Sequence, residues 1–100
     1  MNIGEESDVK NIKKKADEVR VQELEDIRFL LKNIQGRRFA WRLLAEAGVF
    51  LSIWEQSSRI HYNAGKQDFG HFIQAEINEA DIELYFQMIR ENMDKEKNNA

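Results

Sequence analysis

Not one of the 100 residues of this chain is proline, so no position obliges a helix to stop or kink. Alanine, leucine, glutamate, lysine, arginine, glutamine and methionine, all good helix formers, are plentiful. Apolar residues recur at spacings of three and four, and the short apolar stretch Val49 to Trp54 has no partner strand anywhere in the chain. The chain is therefore expected to be all-α, a small single-domain bundle of about four helices with an amphipathic N-terminal arm or helix extension. A length of 100 residues allows one domain with a single modest core. Hydrophobic residues at 42% and charged ones at 33% place it among globular rather than disordered chains.

The segment from Gly36 to Phe50 is the centre of the predicted bundle. Phe39, Ala40, Leu43, Leu44 and Ala47 fall on one side of a helix over 37–47. Asn33 to Gly36 reads as the turn before it, and Gly48 as a left-handed cap behind it. The side carrying Phe39, Leu43 and Leu44 is expected to be covered by the other helices, with the arginines beside it facing outward.

Along the chain, Ser7 or Asp8 can cap a first helix. Val9, Ile12, Ala16 and Val19 then form a narrow stripe through the lysine-rich stretch Lys10 to Lys15. That stripe buries too little to hold a helix alone and needs a partner surface. Residues 1–23 are therefore read as an N-terminal arm, 24–93 as the helical domain and 94–100 as a polar tail. Leu24, Ile27, Leu31 and Ile34 continue the spacing, with Phe29 and Leu30 widening it. Whether 8–33 is one helix or two is left open by the sequence. Val49 to Trp54 reads as a loop tucking Phe50 and Trp54 under the bundle. Ser57 or Ser58 can cap a helix over 59–78, whose inner face would be Ile60, Ala64, Phe69, Phe72, Ile73 and Ile77. Gly65 and Gly70 within it suit close approach of another backbone. Asp81 is the expected cap of a last helix over 82–93 carrying Ile82, Tyr85, Met88, Ile89 and Met93.

The composition also excludes function classes. No cysteine means no disulfide framework and no thiolate metal site, which suits a reducing compartment. The start of the chain lacks the basic and apolar regions of a signal peptide, and no apolar run approaches the roughly 20 residues that span a bilayer. No membrane partner is expected. His61 and His71 are nearly three helical turns apart and cannot share an ion; Asp68 beside His71 reads as a surface contact. Glu76, Glu79, Asp81 and Glu83 cluster at a helix junction, where capping and the helix dipole account for them. There is no phosphate-cradling glycine loop and no serine elbow. A non-enzymatic protein with no cofactor and no metal is the expectation.

Net charge is −3, unlike a general nucleic-acid binder. Residues 37–70 nevertheless carry five basic against three acidic groups, whereas 71–100 carry three against seven. Arg38 and Arg42, one turn apart, can hold phosphates or an acidic protein surface. Pairing with Glu46 or the acidic C-terminal third is the structural alternative. Arg37, Arg38, Trp41, Arg42, Tyr62 and Lys66 are the candidate partner-binding residues.

Four ordered motifs carry a family resemblance: Gly36-Arg37-Arg38-Phe39-Ala40-Trp41-Arg42-Leu43-Leu44, Gly48-Val49-Phe50, Tyr62 to Gly70, and Glu79-Ala80-Asp81-Ile82-Glu83-Leu84-Tyr85. Together, over about residues 24–90, they resemble a family of small tailed-bacteriophage proteins encoded among head and packaging genes. That family has proline after the acidic cap where this chain has Ile82, a mild change because a first-turn site favours proline without requiring it. The resemblance implies a virion-associated phage protein, located in the virion or host cytoplasm. Its partners would be phage structural proteins (capsid, portal or ejection proteins). A nucleic-acid-binding or host-directed regulatory protein is the second reading. Self-assembly into a homo-oligomer through residues 9–34 is a third.

Overall fold

A computed structural model describes the backbone of residues 3–50 and 59–99, and the side chains of 5–50 and 61–94. It contains four helices, α1 (Ile3–Leu31), α2 (Ile34–Ala47), α3 (Arg59–Ala80) and α4 (Ile82–Asn99), and no strand among the described residues. The all-α expectation holds.

The first helix is one uninterrupted rod, about 43 Å long at 1.5 Å per residue. It begins before Ser7 and Asp8, so neither caps it, and the arm is the N-terminal half of α1. Residues 5–19 are exposed throughout, and Arg20 is the first partly covered residue of α1 among the described side chains. The turn between α1 and α2 is only Lys32-Asn33, shorter than the expected Asn33–Gly36. Gly36 consequently sits inside the first turn of α2, where its backbone crosses the Leu30 carbonyl. At the other end, Gly48 caps α2 in the left-handed region (φ 74°). Its N–H donates to Ala45 O at 3.0 Å, and the Val49 N–H donates to Leu44 O at 3.3 Å, a complete Schellman arrangement. Gly48→Ala forces a Cβ into that conformation and is expected to lower stability by about 1 kcal/mol, measurable by urea denaturation.

Leu31, Ala40, Leu44, Ile77, Tyr85 and Met88 make the core, with Leu44 and Met88 fully enclosed. Helices α2 and α3 are central: α1 packs on both, and so does α4. Gly70 lets α3 approach α2, since a Cβ there would lie 2.5 Å from that of Ala47. Gly65 has no neighbour within 4 Å among the described residues, so close approach does not explain it. Asp81 caps α4 as expected, its Oδ1 accepting from the N–H groups of Glu83 and Leu84 at 3.0 and 3.3 Å. The last helix continues to Asn99 through the segment expected to be a tail. Trp54, Ser57 and Ser58 lie outside the described residues.

The body is thin and extended, 65 × 38 × 15 Å by Cα positions, with a radius of gyration of 18.7 Å. A compact 100-residue domain has about 13 Å. Its accessible surface is 7989 Å², against about 5,900 Å² for a compact monomer of this size.

Candidate functional site: an arginine flank and an apolar groove on α2

At about 100° per residue, the buried positions of α2, Arg37, Ala40, Leu44 and Ala47, share one side. Arg38 and Arg42 point the other way, one turn apart and exposed. Neither forms an ion pair among the described residues, so the pairing with Glu46 or the acidic C-terminal third does not occur there. Arg38 also borders a notch of about 200 Å³ shared with Ile34, Arg37, Glu91 and Asn92.

Arg37 corrects the expectation that the arginines all face out. It is 7% exposed, and its Nε donates to Glu91 Oε1 at 2.6 Å. Nη1 donates to the carbonyls of Leu31 and Lys32 at 2.8 and 3.0 Å. Those carbonyls at the C-terminus of α1 have no partner within their own helix, and the planar guanidinium satisfies them while reaching α4. Arg37 is thus an internal clamp on three helices and is not available to a partner.

Trp41 is half-buried against the core edge and stacks on Phe50, ring centroids 5.1 Å apart. Phe50 is therefore held, as expected, but on the surface rather than under the bundle. Tyr62 and Lys66 form a separate pair on α3, the ammonium 5.6 Å from the ring centroid. No hydrogen bond, ion pair or ring contact joins them to Arg38 or Arg42 among the described residues.

The larger correction concerns the apolar side of α2. Leu44 is fully enclosed, but Phe39 and Leu43 are exposed. Phe69 and Phe72 of α3, expected inside, are exposed as well. So are Phe29 and Leu30 of α1, and Ile82 and Met93 of α4. All six phenylalanines are between 44 and 69% exposed. Phe39 and Phe72 are not isolated surface residues of the ordinary kind, because they meet aliphatic neighbours around one opening, and Phe69 stacks on Phe72. Between α1, α2 and α3 lies an apolar groove of about 270 Å³, walled by Ile27, Leu30, Leu31, Phe39, Phe72 and Ile77. Glu76 is its sole charged lining residue among those described.

That carboxylate belongs to a clamp that residue spacing did not reveal. Arg20 Nη1 donates to Glu76 Oε1 at 2.9 Å and Nη2 to Glu79 Oε2 at 2.6 Å, holding the base of the arm to α3. Arg20 and Glu76 are 56 positions apart, and no local pattern could pair them. The hydrogen-bonded guanidinium holds the Glu76 carboxyl below its ordinary value of 4.5. A carboxyl lowered in the folded state stabilises fully above its unfolded value and loses that contribution as pH falls through the folded one. The melting temperature of the wild type should therefore drop more steeply than that of Glu76→Gln as pH falls below about 4.5. Equal slopes would show the clamp to be energetically silent.

Among the described residues no three histidines, cysteines or carboxylates gather as a metal site, and no helix is long and apolar enough to cross a membrane. The class defined by fold and surface is a small all-α protein whose apolar surface exceeds what its own helices cover. Comparison with protein-family models, curated proteins and solved structures finds no match.

Proposed function

We propose that this chain is a non-enzymatic, helical protein-binding module of a tailed bacteriophage, docking on a structural protein of the head (capsid, portal or ejection protein). The phage assignment rests on the resemblance carried by the four motifs between Gly36 and Tyr85. The binding role rests on one observation: the wide, uncovered apolar surface beside the exposed guanidinium groups of Arg38 and Arg42. Monomeric soluble proteins rarely expose contiguous apolar patches beyond a few hundred Å² unless something docks there. Arginine and aromatic side chains are the types that anchor protein interfaces. Arg38, Trp41, Arg42, Tyr62 and Lys66 are the proposed contacts, with Arg37 excluded by its burial.

Mass spectrometry of purified phage particles and of proheads is the test. The protein is expected in one or both, and its absence from both removes the head assignment. The unpaired Arg38 and Arg42 also favour a second reading, a nucleic-acid-binding or host-directed protein. A phosphate-reading surface must lose affinity steeply with salt. Wild-type binding to DNA at low salt, weakened in Arg38→Ala, would support that reading; no binding by either would end it.

A further inference from the structure

We infer that the groove between α1, α2 and α3 is the seam of a homodimer, filled by the N-terminal arm of a second copy of this chain. On α1, Val9, Ile12, Ala16, Val19, Ile27 and Leu30 all fall within an arc of about 80° at 100° per residue. The arm's stripe is thus the continuation of the groove's own wall along one ridge. Neither half of that ridge is fully covered: residues 5–19 of the arm are exposed throughout, and Leu30, Phe39 and Phe72 stand open at the groove.

The arm cannot fold back to fill its own groove, because α1 is one continuous helix from the arm into the groove wall. A second copy, with its α1 running antiparallel, brings its stripe over this groove and offers its own groove in exchange. The contact is the same patch on both copies, as two-fold symmetry requires. Glu23 interrupts the ridge near the crossing point, where Arg20, which also holds Glu76 and Glu79, lies 3.3 Å from its carboxylate and offsets part of that negative charge. The area agrees. The chain exposes about 2,000 Å² beyond a compact monomer of its size, and an obligate homodimer takes about 1,000 Å² or more from each copy. The seam covers the groove alone and leaves Arg38, Arg42 and exposed apolar residues that do not line it, such as Leu43 and Phe50, to a phage partner, so it stands whatever that partner is.

Sedimentation equilibrium of the full chain tests this, with far-UV circular dichroism confirming that each variant is folded. The wild type is expected to be a dimer at micromolar concentration. Ile12→Glu and Phe72→Glu, both at exposed sites, are each expected to weaken the dimer by about 30-fold or more. Val21→Glu, also at an exposed site but on the opposite side of α1, is expected to leave it unchanged. The chain has no cysteine of its own. Differently tagged Ile12→Cys and Phe72→Cys chains, once mixed, should therefore yield a mixed product with a short bismaleimide. A wild type that stays monomeric overturns the inference. So does a dimer that Val21→Glu weakens as much as Ile12→Glu, or one that gives no mixed cross-link.

Discussion

Arg37→Ala is expected to destabilise the protein by about 3 kcal/mol, the lower end of the range for breaking a buried ion pair. Three interactions disappear together. Glu91 loses its partner in a half-buried position (28% side-chain exposure), and the carbonyls of Leu31 and Lys32 lose their donor. A buried acceptor left without a partner carries its full desolvation cost. For a domain of this size the loss corresponds to a fall in melting temperature of more than about 10 °C. Protein concentration must be held fixed, since association adds to apparent stability. Arg37→Lys should recover only part of the loss, because an ammonium cannot reproduce the fork that reaches carbonyls and carboxylate at once. Glu91→Gln combined with Arg37→Ala should cost less than the two single changes added. An Arg37→Ala protein as stable as wild type would return Arg37 to the surface and to the candidate contacts.

Gly36→Ala is expected to cost on the order of 3 kcal/mol, as an overpacked position does. In an exposed helix the same change would gain about 1 kcal/mol. The sign reverses because a Cβ at Gly36 would collide with the Leu30 carbonyl oxygen and stand 2.7 Å from its carbon. The obstacle is backbone, with no side-chain end to swing away, so α1 must shift against α2. Urea denaturation at unchanged slope reads the effect as a lower midpoint. A stabilised Gly36→Ala protein would mean that the two helices do not cross where they are placed. Leu30 also walls the groove, so the same variant should weaken association as well as folding.

The two glycines beside α2 show how far local reasoning reaches. Gly48 was predictable because a left-handed cap is a property of a few consecutive residues, and the sequence places it just after an apolar helix. Gly36, expected in the turn before that helix, lies inside its first turn instead, and what requires a glycine there is Leu30 of the preceding helix. The same division separates the two acidic groupings. Asp81 caps through neighbours two and three residues away and follows from sequence alone. Glu76 and Glu79 serve Arg20, more than fifty residues earlier, and only the packing of α1 on α3 brings them together. The arginines divide likewise: Arg38 and Arg42 are outward as expected, while Arg37, one residue away, turns in because α4 presents Glu91 to it.

Helical periodicity and capping residues determined that this chain is all-α, that Gly48 ends α2 and that Asp81 begins α4, because those properties depend on contacts within a few residues. Periodicity could also assign apolar residues to stripes, but not say which stripe another helix would cover. Leu44 and Phe39 are both strongly apolar members of the same short helix. One is sealed against Met88 and Ile77, and the other faces water across an open groove. Covering depends on how many rods are at hand and on their crossing, and four helices in a thin layer do not suffice for every apolar side they carry.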